Sequence, residues 1–384
     1  MAKKSIIVKV NPEVLKWLRE SSGWTCDDVS IRLKTKVETF KDFELGTKSP
    51  TLRQLKELSL AFNMPLAAFL LPKRPEEKPL PLDYRMLPNK KGIFDKKTML
   101  AIRKARSLQS ISKELSDNIQ CETKPKIERV ITTDNPEDIS GKYREIFKLT
   151  EEKQRKFRDT YQFFNYLRAL LEDMNILIFQ ISMPVEDARG FSLSDDSPAI
   201  LVVNTKDSIE ARLFSLMHEF AHILRRETVI DLPELSITDK ENTEKWCDEF
   251  ASSFLLPKET AKKLFETDKT KLTWTETINA LSGKYKLSKS MLLYNMYKLD
   301  YLSKTEYNEV LKRYKPSQVR ATKKGKQKGG GIPSEKRCIS EVGSKFVSLV
   351  ADNFDKRFIT YSDALNYLSV KSKSFDKVLT KAGK

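Results

Sequence analysis

Along this chain the spacing of apolar positions changes character several times. Between residues 11 and 71, Leu15, Leu18, Val29, Leu33, Phe40, Phe43, Leu52, Leu55, Leu58 and Phe62 recur three, four and seven apart, with Gly23, Gly46 and Pro50 as breaks. That period predicts a bundle of short helices. Pro72, Pro75, Pro79 and Pro81 then mark a linker, and Lys97 to about Thr160 reads as a polar, helix-like connector without an interpretable motif. From Leu167 the pattern shortens. Ile176-Leu-Ile-Phe179 and Ala199-Ile-Leu-Val-Val203 are strand-length apolar runs rich in β-branched residues, with Gly190, Asp195, Asp196 and Pro198 between them. A small sheet with turns is expected there. A helix from about Ser208 to Arg225 follows, and then a second amphipathic helix that ends before Pro257. Gly325, Gly329, Gly330 and Gly331 with Lys323, Lys324, Lys326 and Lys328 read as a flexible basic linker. After it, Phe346, Leu349, Val350, Phe354, Phe358, Leu365, Leu368, Phe375 and Leu379 suffice for a small helical appendage. The fold class expected is α+β, predominantly helical.

Length and charge refine this picture. A chain of 384 residues predicts two or three domains. No apolar run approaches the ~20 residues that span a bilayer, and the start breaks after three apolar residues, too early for a signal peptide. A soluble, cytoplasmic protein with no membrane partner is expected. Cys26, Cys121, Cys247 and Cys338 are scattered, which implies reduced thiols and no zinc ribbon. Most of the net charge of +17 lies in the tail, where residues 312–384 hold 18 Lys and Arg against 6 Asp and Glu. Such a tail either contacts nucleic-acid phosphates or is a solvated basic end, and its apolar face offers docking on the preceding domain instead.

The only two histidines, His218 and His222, stand four apart around Glu219-Phe220-Ala221. Helical geometry brings i and i+4 onto one face, so both imidazoles can hold one Zn²⁺ while the Glu219 carboxylate addresses the metal-bound water. Leu213, Leu216, Met217, Phe220, Ile223 and Leu224 place this helix against a core. Zinc then needs a third protein ligand. On the next helix Glu244 and Asp248 fall within about 40° of each other and border an apolar stripe of Cys247, Ala251, Phe254 and Leu255. Acids beside a buried stripe need compensation. Zinc supplies it for Glu244, and Asp248 is placed to accept the other N–H of a ligand imidazole.

Two resemblances follow from these residues. Trp24 to Leu52, with Phe43-Glu44-x-Gly46 and Ser49-Pro50, resembles the helix-turn-helix of phage-repressor-like (Xre-type) regulators over about 60 residues. The resemblance implies Asp27–Leu33 as the first helix of the pair and Val37–Leu45 as the recognition helix. Lys36, Thr39 and Lys41 are its candidate DNA contacts, beside the acids Glu38 and Asp42; protein recognition or dimerisation is the alternative use. Ser215-Leu-Met-His-Glu-Phe-Ala-His222, with Arg212, Asn204 and the run from Glu244 through Cys247, Asp248 and Phe250 to Pro257, resembles the ImmA/IrrE zinc metallopeptidases over roughly residues 165–315. Leu287-Ser288 and a helix through Leu299 to Tyr307 resemble the segment that follows the site in that family. The resemblance implies a zincin-like domain holding one zinc per chain, and cleavage of a helix-turn-helix repressor or antitoxin.

The organisation expected is therefore a helix-turn-helix domain at 1–75, a connector at 76–164, a peptidase domain at 165–315, a basic linker at 316–335 and a helical tail at 336–384. Glu219 is the expected general base, with His218, His222 and Glu244 as metal ligands. Without a third histidine, oxyanion donation falls to Tyr285, Tyr294 or Tyr297, or to no side chain. Asn295 stands where relatives often carry an arginine. The strand near Ala199–Val203 is a candidate edge for an extended substrate. The second reading is a DNA-binding regulator, through the N-terminal module or the basic tail, whose zinc domain is not catalytic. A third is cleavage of the chain's own N-terminal module.

Overall fold

A computed structural model describes residues 6–74, 95–131, 133–225, 237–267, 269–314 and 332–383. Pro75, Pro79, Pro81 and the glycine- and lysine-rich stretch between Lys323 and Gly331 lie outside the described residues. Among those described, no helix is long and apolar enough to cross a membrane. They divide into two compact units, one drawn from Met1–Leu82, Met86–Leu108 and Ser182–Ala188, the other from Asp83–Arg85, Gln109–Ile181 and Arg189–Lys384.

The first unit holds α1 (Pro12–Glu20), α2 (Cys26–Leu33), α3 (Val37–Leu45), α4 (Leu52–Phe62) and a 3-10 turn at Leu66–Leu70. The side chains of Asn11, Thr25 and Thr51 accept first-turn N–H groups of α1, α2 and α4, and Thr25–Asp28 and Thr51–Gln54 complete reciprocal capping boxes. Each cap contributes about 1 kcal/mol. Gly46, at φ 75°, closes α3 in the left-handed region that favours glycine. Leu15, Leu18, Val29, Phe40, Phe43, Leu55, Leu58 and Phe62 are buried together. Arg19 ties α1 to α3 through a 2.7 Å ion pair with Glu44. The first turns of α5 (Lys96–Asn118) are fastened here by Arg103, which donates to the hydroxyls of Ser21 and Ser22 and to the Phe62 carbonyl.

In the second unit α6 (Pro136–Ile146), α7 (Glu151–Lys156) and α8 (Thr160–Asp173) lead into β1 (Ile176–Ile181), β2 (Gly190–Leu193) and β3 (Ala199–Asn204). The sheet order is β1-β3-β2, with β3 parallel to β1 and antiparallel to β2. This corrects the sequence expectation: the Ala199–Val203 strand is central and paired on both sides, and among the described residues the edge strands are β1 and β2. The helices α9 (Ile209–Arg225) and α10 (Ile237–Leu255) pack together, with α9 also against β2 and β3, followed by α11 (Lys258–Thr267), α12 (Thr275–Tyr285), α13 (Lys289–Lys298) and α14 (Lys304–Tyr314). The helix expected through Leu299–Tyr307 is broken. Asp300 turns into the left-handed region at φ 62°, and Ser303 accepts from Glu306 N to start α14.

The supposed connector is part of the core. Val130, Tyr143, Phe147 and Leu149 join the same cluster as Phe220, Phe250 and Phe254, with the Tyr143 and Phe220 rings edge to face at 5.1 Å. The tail forms α15 (Ser334–Val342), α16 (Ser344–Asp355), α17 (Tyr361–Leu368) and α18 (Ser372–Ala382). It packs on β1 and α8: Gln180 Nε2 donates to the Ser340 carbonyl at 2.7 Å, and Phe346 meets Phe179 edge to face at 5.5 Å. Beneath lies a buried Arg168–Glu172 ion pair at 2.9 Å, whose guanidinium also donates to the carbonyls of Ile178 and Ser340. Phe358, counted on the tail's apolar face, is 52% exposed.

Candidate metal centre

α9 is apolar on nearly every side. Leu213, Leu216, Met217, Phe220, Ala221, Ile223 and Leu224 are buried, so the helix sits inside the unit and carries His218, Glu219 and His222 with it, each under 10% exposed. α10 brings Glu244 and Asp248 up to the same face. The ligand atoms of His218, His222 and Glu244 all lie within 4.8 Å of one another. His218 Nε2 and His222 Nε2 stand 3.1 Å apart, and the Glu244 oxygens reach them at 3.2 and 3.1 Å. On the far side of the His218 ring, Nδ1 meets Asp248 Oδ1 at 2.8 Å.

These contacts set the tautomer. A carboxylate can only accept, so His218 Nδ1 carries the proton and Nε2 presents a lone pair inward. Two imidazole nitrogens and a carboxylate then converge on one point with too few protons to satisfy them, which is the electrostatic signature of a cation site. Burial raises the Glu244 pKa; imidazoles protonated toward it outweigh burial and hold the carboxyl well below the usual carboxylate range, and with both rings neutral a bound cation takes over that role. The N,N,O donor set fits zinc.

Glu219 lies beside the start of β2. A Cβ at Gly190 would stand 3.2 Å from Glu219 Cγ and 2.8 Å from the Val202 carbonyl oxygen, so only glycine lets the strand pass this close. Asn204 N donates to the Arg189 carbonyl at 2.9 Å, which makes Arg189 and Asn204 a hydrogen-bonded pair. Antiparallel alternation then turns the N–H and C=O of Gly190 and Ser192 away from β3, toward the open edge.

A cleft of about 260 Å³ runs past Asp248, lined by Arg189, Phe214, Met291, Tyr294 and Tyr307 among others. Tyr294 is 46% exposed there. Tyr297 does not line the cleft; its ring stacks on Tyr307 at 5.3 Å. Tyr285 is elsewhere: it is buried, and its hydroxyl donates to Glu151 at 2.7 Å. Asn295 is also committed, donating to the Met291 carbonyl and accepting from Ser252. Arg212 clamps the β3–α9 loop through the carbonyls of Thr205 and Asp207. In the first unit Lys36, just before α3, and Lys41 on it are exposed and Thr39 is half-buried, while Asp42 is held by Lys48 at 2.7 Å. Sequence reasoning missed Arg189, Gly190 and Phe214. Phe214 had a signal, since it precedes His218 by one helical turn; Arg189 had none.

A helix-borne His-Glu-x-x-His with a carboxylate delivered by the next helix is the arrangement of a metallopeptidase. Residues 171–297 match the family model described as the IrrE N-terminal-like domain, a peptidase family, and His218, Glu219, His222 and Glu244 all fall inside the match. That match supports peptidase chemistry for this part of the chain. No curated protein matches the chain.

Proposed function

We propose that the chain is a zinc-dependent endopeptidase that cuts a regulatory protein of the helix-turn-helix type, a repressor or an antitoxin. The observation that carries this reading is the convergence of His218, His222 and Glu244, with Glu219 on the same helix turn and Asp248 behind His218. Bound there, zinc supplies Lewis acidity: it acidifies water and polarises the scissile carbonyl.

The protein's own groups do the rest. Glu219, buried beside β2, takes a proton from the attacking water and returns it to the leaving amine. Asp248 keeps the His218 ring oriented throughout. An extended substrate segment pairs with the outward N–H and C=O of Gly190 and Ser192, which carries its peptide bonds past Glu219. Tyr294, exposed in the cleft that passes Asp248, is the tyrosine to which this reading assigns the developing oxyanion. The short helices α1–α4, packed around one apolar core, support a helix-turn-helix module for the first unit, with α3 as its presenting helix. Its exposed surface mixes Lys36 and Lys41 with exposed Leu45, which favours a protein partner over base reading.

The test joins metal content to cleavage. Purified chain should hold about one zinc, and wild type, unlike Glu219→Gln, should release a fragment from helix-turn-helix proteins encoded nearby, read by mass spectrometry. Zinc in both with a fragment in neither would remove the enzyme reading and favour a non-catalytic regulator.

A further inference from the structure

A second cavity, of about 350 Å³, lies away from the metal centre, where α8, β1 and the first residue of α9 meet the tail helices α15, α16 and α18. Its size is that of a small-molecule site. Tyr161, Asn165, Ser344, Lys336 and Lys381 line it, above the buried Arg168–Glu172 pair.

The charge balance is one-sided. Glu172 is the single carboxylate in the lining, and it is used up: one oxygen takes Arg168 Nε at 2.9 Å and the other accepts Lys345 N at 3.1 Å. Nothing negative is left for Lys336 and Lys381, and neither forms an ion pair among the described residues. They come from different helices, α15 and α18, so the fold itself brings two like charges to one concave surface. Asn165, Ser344 and Tyr161 add neutral donors, and the Tyr161 ring is 56% exposed, open to stacking. The chain's own basic stretch at Lys323, Lys324, Lys326 and Lys328 has the wrong sign to fill the cavity.

We propose that this cavity binds a phosphate-bearing small molecule of mononucleotide size, with the phosphoryl group between Lys336 and Lys381. Two ammonium groups match the charge of a phosphate monoester, and concavity favours a small ligand over a nucleic-acid strand. Ile209 in the wall is the first residue of the helix that carries both histidines, so the ligand touches that helix at its first turn.

The test is calorimetric titration of the zinc-loaded full chain with inorganic phosphate, pyrophosphate, adenosine monophosphate and a short oligonucleotide. Saturable binding of one equivalent is expected, weakened at least about tenfold in Lys336→Glu/Lys381→Glu. Lys373→Glu/Lys377→Glu makes the same charge change on exposed positions of α18 outside the cavity and should leave binding unchanged. Tighter binding of the nucleotide than of phosphate would show that the base is read; equal binding would confine recognition to the phosphoryl group. The proposal is overturned by no saturable binding, by equal loss in the two variants, by binding that survives Lys336→Glu/Lys381→Glu and so belongs to the metal centre, or by binding of an oligonucleotide alone. Circular dichroism confirms that these surface variants fold.

Discussion

Asp248 Oδ1 stands 2.8 Å from His218 Nδ1, on the side of the ring opposite the converging ligand atoms. The carboxylate comes from α10 and its side chain is half exposed, so it keeps part of its hydration while fixing a ring that is itself fully buried. Asp248→Ala should leave three ligands in place and lower zinc affinity by about 10- to 100-fold. Competition with a chromophoric chelator measures this, and unchanged affinity would strip Asp248 of its orienting role.

Gly190 makes a different demand on the site. In Gly190→Ala the new Cβ meets the Val202 carbonyl at 2.8 Å and Glu219 Cγ at 3.2 Å, so either the strand or the carboxylate must give way. Displacement of Glu219 by a fraction of an ångström should lower kcat by about 10- to 100-fold with zinc content intact. A variant with full turnover on the same protein substrate would show that the two groups adjust without cost.

The tyrosines separate by environment. Tyr294→Phe, in the cleft, should reduce kcat by about 100-fold or more if its hydroxyl meets the oxyanion. Tyr285→Phe should leave kcat/KM alone and cost about 1 to 2 kcal/mol of stability, because its hydroxyl is bound to Glu151 inside the unit. Denaturant unfolding alongside initial rates distinguishes the two, and a rate loss in Tyr285→Phe at unchanged stability would reverse the assignment.

How far the sequence revealed this centre follows from the range of each constraint. His218 and His222 sit on one helix, and Glu244 and Asp248 on one other, so local periodicity alone predicted which side chains share a face. Meeting across α9 and α10 needed only that both faces be apolar, and Phe220 and Phe250 are indeed in ring contact. The four-residue β2 was hidden because a strand that short has too few positions for alternation to register, and Gly190 reads as a turn residue. Strand order was equally hidden, since the apolar run of β3 marks it as buried without saying that both its edges are paired. Tyr143 and Phe147 did carry the i,i+4 aromatic signal of a core helix, but the charges around them made Lys97–Thr160 look polar throughout.

Alkaline stability gives a last test, because two tyrosines of the second unit hold their protons unusually late. Burial, with the Glu128 charge behind it, pushes the Tyr143 hydroxyl up to about 12, and burial plus the hydrogen bond to Glu151 does the same for Tyr285. In the unfolded chain both ionise near ~10. Below that pH both states keep the proton and the contribution is fully present. Above it the unfolded chain sheds protons first, so stability falls as pH rises from about 10 to about 12, where the folded groups ionise too. Unfolding free energies measured by urea titration across this window should decline less steeply in Tyr143→Phe and in Tyr285→Phe than in wild type. Parallel declines in all three would mean that other groups, not these hydroxyls, govern the alkaline limb.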